Sequence, residues 1–315
     1  MTDAQLRRTH QLAPDEVEQV RAIVAAATLA DGVGPLSEDA RLRLDRPGDH
    51  VLVEESGARG VVGYAGRHDD TVELVVDPQH RRRGHGRALL DAVQPAQTNP
   101  ADPAGQPTAR GIGVWAHGDL PAAQALLRSA SFAPVRELRK MGRDLARSDV
   151  DRPVRLPHGY AARAFVPGQD EDAVLAVNAA AFAHHPEQGS LDRAGFADRA
   201  ASAWFEPAGL ILVEELESSD GLGHPRLAAF HWTKVDPADG DPDAGEVYVV
   251  GVAPEQQGKG LGRAVTQLGL EHLRERGLAR VELYVDADNT AAVATYERLG
   301  FTVLTTDVLY RATTS

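Results

Sequence analysis

Three glycines at alternate positions, Gly258, Gly260 and Gly262, stand between the apolar run Val247–Val252 and the start of a helical pattern. Such a stretch leaves backbone N–H groups uncovered at a helix N-terminus, where the macrodipole also favours negative charge. The chemistry it suits is the holding of a phosphorylated ligand. The spacing is not the Walker pattern, which needs Gly-Lys-Ser/Thr, nor the dinucleotide pattern GxGxxG. A carboxylate, Glu246, opens the apolar run, and a phenol lies downstream. Asn289 heads a helical stretch, Tyr296 follows two turns up the same face, and Gly300 ends the helix.

The elements that must position these groups follow from local patterns. A helix is expected over Pro14–Leu29, with Pro14 and the acids after it suited to the first turn, and a short one from Ser37, a natural cap. Three β-rich runs, 50–54, 60–66 and 71–76, are separated by turn residues and read as a meander. Later strands are expected at 113–116, 132–141, 159–165, 210–215, 226–235, 246–252, 280–285 and 301–310. Helices fall at 120–130, 170–181, 192–203, 263–276 and 289–299. Gln94–Gly111 and Asp236–Gly245 read as loops.

The stretch from Asp77 to Leu90 repeats the glycine-loop pattern. A shift of 176 residues carries Pro78 onto Pro254, Arg81 onto Gln257, Gly84 onto Gly260 and Gly86 onto Gly262. A period that long indicates a duplicated domain rather than a solenoid. At 315 residues the chain suits two domains, expected at 1–147 and 159–315, with a polar, proline-containing linker at 148–158. The copies are unequal: Leu127 stands where Tyr296 stands, and Ser131 replaces Gly300. At constant shift Asp70 matches Glu246, with Glu73 as an alternative.

Composition narrows the chemistry further. A formal net charge of −13 argues against a nucleic-acid partner. The absence of cysteine excludes disulfides, cysteine-held zinc and iron–sulfur sites, and a cysteine acyl-enzyme. His184 and His185 are adjacent and match no metal-ligand spacing, so no metal is expected, and His117 and His231 read as interior hydrogen-bonding groups. The N-terminus has no signal pattern, and the run from Val20 to Ala30 suits a buried amphipathic helix. A cytoplasmic protein, monomeric and without a membrane partner, is expected.

The glycine loop resembles the Q/R-x-x-G-x-G/A loop of the GNAT acetyltransferases. Asn289, Ala292, Tyr296, Gly300 and Phe301 match that family's N-x-x-A-x-x-x-Y-x-x-x-G-F pattern at every fixed position. The resemblance implies an α/β (α+β) fold of two tandem domains, each a mixed, mostly antiparallel sheet flanked by helices, and acetyl-CoA as co-substrate. Acetyl transfer to an amine needs an unprotonated nucleophile, an oxyanion site and a proton for the departing thiolate. Glu246 is the candidate base, acting directly or through water, and N–H groups at Val250–Val252 could polarise the thioester if Gly251 marks a bulge. Tyr296 is the candidate acid; a phenol near pKa about 10 is a weak acid against a thiol near about 8.5, so it must act by hydrogen bonding or by tuning.

The tandem arrangement, with Asn178–Gly189, Phe230–Val235 and Gly245–Val252, closely resembles the mycothiol synthases over nearly the whole chain. That likeness implies acetylation of the cysteinyl amine of Cys-GlcN-inositol (desacetylmycothiol), a small-molecule substrate, to form mycothiol. It implies substrate contacts from Glu38, Glu187, Lys234, Glu246 and Tyr284, with the substrate bridging the two domains. For acetyl-CoA it implies Leu74, Val75, Val76, Arg82, Arg83, Gly84, His85, Gly86 and Arg87 in the first copy. In the second it implies Val250, Gly251, Val252, Gln257, Gly258, Lys259, Gly260, Leu261, Gly262, Arg263, Asn289, Thr290, Ala291, Ala292, Val293 and Ala294. The first copy is expected to keep its loop without the transfer chemistry. The alternatives are a GNAT enzyme acting on another small-molecule or peptide amine, and an acyl-CoA-binding regulator without turnover.

Overall fold

The structure is a computed structural model that describes residues 4–55, 60–93, 111–145, 154–183, 188–216, 225–236 and 243–313. Two compact units emerge, one of Met1–Leu138 with Thr305–Ser315, the other of Arg139–Leu304. Packing therefore divides the chain at other points than sequence order suggests, because the strand across 138/139 is unbroken. Most of the expected linker, the two loops, His184, His185 and Glu187 lie outside the described residues.

The first unit is built on a meander. Its strands β1 (Ala4–Thr9), β2 (Asp49–Glu55), β3 (Val61–His68) and β4 (Thr71–Val76) pair antiparallel in order, and β5 (Gly113–Ala116) joins β4 in parallel. The end of the chain closes this unit, with Val308–Arg311 antiparallel to β5. Helix α1 (Pro14–Asp31) has Pro14 in its first turn, Glu16 accepting from the Ala13 N–H at 2.8 Å, and left-handed Gly32 at its end. It buries Val17, Val20, Ile23 and Ala27, a stripe at helical spacing. Helix α2 (Glu38–Leu42) is capped by Ser37, as expected, and α3 (His85–Val93) and α4 (Pro121–Ser129) cover the opposite face around Leu89, Leu90 and Leu127.

Strand β6 (Phe132–Asp144) begins in the first unit and ends in the second. In the second unit β7 (Tyr160–Ala164), β8 (Leu210–Glu215), β9 (Arg226–Lys234) and β10 (Ala244–Val252) are antiparallel in order, and β11 (Arg280–Asp286) is parallel to β10. Helices α5 (Glu171–Ala181) and α6 (Arg193–Ala200) lie over an aromatic core of Phe165, Phe196, Phe230 and Trp232. Helices α7 (Leu261–Glu275) and α8 (Thr290–Arg298) cover the other face through Leu270, Leu273, Leu283 and Val293. The last strand, β12, is Thr302–Ala312.

His117 follows β5 and is an interior hydrogen-bonding group, as expected. Its ring nitrogens lie 3.0 Å from Asp307 and 3.2 Å from Glu73, and Glu73 also accepts from the Ser37 N–H and hydroxyl. Burial opposes the imidazolium, but its hydrogen bonds to the Asp307 and Glu73 carboxylates outweigh that and push the pKa up to about 10. A raised pKa means stability that is full below the unfolded value of about 6.5 and is lost as pH rises through about 10. The melting-temperature advantage of the wild type over His117→Gln should therefore shrink steadily between pH 7 and 9.5. A constant difference across that range would refute a charged His117.

Candidate active site

The site begins where two strands part. The parallel ladder of β10 with β11 runs from Ala244↔Arg280 to Val247↔Leu283, although β10 continues to Val252 and β11 to Asp286. Over Val249–Val252 the β11-facing edge of β10 has no ladder partner among the described residues. Its peptide groups are available to an extended ligand arm.

The irregularity in β10 lies on its other edge. Val247 pairs with Thr233 and Val249 with Trp232, so Tyr248 is an extra residue, a β-bulge. Sequence reasoning placed this bulge at Gly251. Gly251 instead keeps regular pairing with Phe230, and a Cβ there would lie 2.4 Å from the Phe230 ring. That glycine makes room for a core aromatic; the bulge at Tyr248 turns the adjacent Tyr248 and Val249 both into the aromatic core on the α5–α6 side, a face that Glu246 shares by simple strand alternation.

The glycine loop leads from β10 to α7. Gly258 and Gly260 have φ of 78° and 82°, a region that side chains with a Cβ rarely occupy, and a Cβ at either would meet nothing within 4 Å. The loop is open and exposed. Gly260 caps α7 without a side-chain partner, and the first intrahelical bond in the loop region is Ala264 N–H to Gly260 O at 3.2 Å. The N–H groups of Leu261, Gly262 and Arg263 therefore point out of the helix end, as a diphosphate requires. Beneath the loop, Lys259 Nζ donates to Gln256 at 2.7 Å and Gln256 donates to Glu215 at 2.8 Å, which ties the loop to the end of β8.

Asn289 caps α8, accepting from the Ala292 N–H at 3.1 Å, and Gly300 takes φ of 86° after the helix. Tyr296 packs edge-on to Phe301 at 5.7 Å and joins the core that holds Val247 and Val293. Burial pushes its phenol up to about 12. It stays protonated throughout the working range, which favours hydrogen-bond donation over tuning as its role. Glu246 and Tyr296 lie on opposite faces of the sheet, so one ligand meets both only through the opening between β10 and β11.

On the Glu246 face, Lys234 stands opposite Glu246 in the β9–β10 ladder and is 3 % exposed. Its ammonium lies 5.5 Å from the Trp204 ring and 5.9 Å from the Tyr248 ring, with Asp236 at 4.0 Å. Arg199 donates to the Tyr248 hydroxyl at 2.9 Å. Tyr284, 47 % exposed, has Lys140 over its ring at 5.9 Å. Sequence reasoning did not pick out Trp204, Tyr248, Arg199 or Lys140; none carries a spacing motif. Glu38 is the first residue of α2 in the other unit.

In the first unit β4 also leaves its parallel partner early, after Val72↔Val114, and a glycine loop follows. Yet β4 is straight: every residue from Thr71 to Val76 pairs with β3 without a shift. Counting back from Val76 and Val252, the ladder equivalent of Glu246 is Thr71, not Asp70 or Glu73, because the bulge displaces the constant shift by one. Asp70 instead accepts from Arg311 at 2.7 Å. Leu127, in the place of Tyr296, is buried in the core. Arg82 takes the left-handed position of Gly258 with φ of 64° and is exposed, whereas Arg81 is bound to Asp31 at 2.6 and 2.7 Å and Arg83 to Glu55 at 2.9 and 3.0 Å.

Splayed parallel strands, a glycine loop at a helix N-terminus and an Asn-capped helix bearing a tyrosine define an acetyltransferase of the GNAT class. Residues 180–301 match the Acetyltransferase (GNAT) family and residues 47–128 the Acetyltransferase (GNAT) domain. Mycothiol acetyltransferase of Streptomyces avermitilis is 47 % identical over 95 % of this chain and 92 % of its own length. That of Streptomyces coelicolor is 45 % identical over 96 % and 94 %. Among solved structures, a GCN5-related N-acetyltransferase from Sphaerobacter thermophilus has a TM-score of 0.68 at 24 % identity, covering 97 % of this chain and 95 % of that one, a likeness of fold. The chain belongs to the mycothiol acetyltransferase family, and the tandem GNAT fold expected from its motifs is the fold found.

Proposed function

We propose that the second unit transfers acetyl from acetyl-CoA to the cysteinyl amine of Cys-GlcN-inositol, forming mycothiol. The observation that carries this reading is the opening between β10 and β11, with the uncapped α7 terminus at its mouth, Glu246 on one side and Tyr296 on the other. The N–H groups of Leu261–Arg263 would hold the diphosphate, and the unpaired edge of β10 at Val250–Val252 would align the pantetheine amides. Glu246 takes the ammonium proton, directly or through water, and Tyr296 gives a hydrogen bond to charge developing on sulfur. Lys234, Tyr284, Glu38 and Glu187 are the proposed partners of the sugar and inositol hydroxyls.

The first unit keeps the loop and the parted strands but has Thr71 and Leu127 in place of the base and the phenol, so its proposed role is ligand holding or support rather than transfer. The proposed setting is a cytoplasmic monomer without nucleic-acid or membrane partners. Among the described residues no helix is long and apolar enough to cross a membrane, and no cluster of His, Asp and Glu could hold a metal.

The test is CoA release from acetyl-CoA with Cys-GlcN-inositol, beside bare cysteine and simple amines. A kcat/KM at least 100-fold higher for the pseudodisaccharide is expected. Equal rates would move the assignment to a GNAT enzyme of another amine, and no release with any amine would favour an acyl-CoA-binding regulator.

A further inference from the structure

Glu246 has a second carboxylate beside it. In the parallel ladder Glu246 stands opposite Glu282, and both side chains lie on the face turned away from Val247, Val281 and Leu283. Neighbouring strands are about 4.8 Å apart, so two carboxylates in register on one face repel each other unless a cation intervenes. The cation is present on the far side. Lys140, on the part of β6 that lies beside β11, binds Glu282 at 2.5 Å while its ammonium covers the Tyr284 ring. With Lys234 opposite Glu246 from β9, the row reads Lys234, Glu246, Glu282, Lys140. Its order of charges is plus, minus, minus, plus.

We infer that Glu282 and Lys140 are positioning residues that set the protonation of Glu246. Glu282 raises the proton affinity of the base beside it, and Lys140 moderates that effect by neutralising Glu282. The inference rests on Glu246 being the base. Other groups face the same strand. Lys234 and Asp236 approach from the β9 side, Tyr284 and Asp286 from β11, and Arg199 of α6 reaches the Tyr248 hydroxyl. Helix α5 presents Asn178, whose amide is satisfied by Gln188. Among these, Glu282 is the ionisable group directly in register with Glu246 on β11, and Lys140 is the cation bound to it, so the pair forms one adjustable unit. A carboxylate acting on an amine near pKa about 8 works best with a raised affinity for its proton, and a like charge supplies this without burying the base.

The experiment is the pH dependence of kcat/KM for the amine, at saturating acetyl-CoA, in the wild type and in Glu282→Gln, Lys140→Met, the double variant and Glu246→Gln. The acidic limb is expected about 0.5 to 1 pH unit lower in Glu282→Gln, a similar amount higher in Lys140→Met, and close to that of Glu282→Gln in the double variant. Shifts of opposite sign are a result that general loosening of the strands does not produce. A limb that stays put in both single variants, or moves the same way in both, overturns the inference. Loss of the limb in Glu246→Gln alongside unmoved limbs in the other variants would sink this inference and leave the base assignment standing. Wild-type turnover in Glu246→Gln would sink both.

Discussion

Glu246→Gln is expected to lower kcat/KM for the amine about 100-fold or more, while KM for acetyl-CoA stays within about threefold. The amide keeps the shape of the side chain and its place opposite Lys234 but cannot accept a proton. The loop that would bind the diphosphate is a separate backbone feature, which is why the two kinetic constants should part company. Residual turnover should climb with pH as the amine, near pKa about 8, loses its proton in solution. Tyr296→Phe should cost more than tenfold without that rise, because the role proposed for the phenol is on the leaving side. Stopped-flow or steady-state thiol release over pH 6.5–9.5 measures both. A Glu246→Gln profile parallel to the wild type would remove Glu246 as the base.

Gly269→Ala should be the most damaging small substitution in the second unit. A Cβ at Gly269 would lie 2.0 to 2.4 Å from three atoms of the His231 imidazole. His231 is fully buried, and its Nδ1 lies 3.0 Å from the Val265 carbonyl, so the ring cannot swing aside. Burial also lowers its pKa to about 4, which keeps it neutral in the packed core. Overpacking of this kind costs roughly 3 kcal/mol or more, about 6 to 12 °C in melting temperature for a unit of this size. The double variant Gly269→Ala with His231→Ala should be more stable than the sum of the two single losses predicts, by at least about 1 kcal/mol. Thermal melts of the four proteins decide it: additive losses would mean that the ring does not hold α7 at that distance from β9.

The parts of this architecture visible in the sequence are those set by local rules. The left-handed glycines, the caps at Ser37 and Asn289, and the strand at Thr71–Val76 follow from residue type and spacing, and all lie where expected. Strand β1 was not visible, because Ala4–Thr9 is polar and forms a strand only through pairing with β2. Nor was the bulge. The run from Val247 to Val252 is apolar at nearly every position and carries no period from which a face could be read, so the extra residue shows only against the partner strand β9. The same cause misplaced the match to Glu246, since a constant shift assumes equal strand lengths. Lys140 and Glu282 belong to strands more than a hundred residues apart, and nothing in either segment announces the other.

The one-residue bulge in β10 separates the two halves of a duplicated chain by length as well as by identity. Exchanging Thr71 for glutamate and Leu127 for tyrosine would give the first half both of the proposed reactive groups and still leave β4 straight, without the turn of the chain that Tyr248 provides. Point substitution alone therefore does not lead from one half to the other; an insertion is needed. A copy without such a residue differs from its partner in the path of its backbone, and not in its side chains alone.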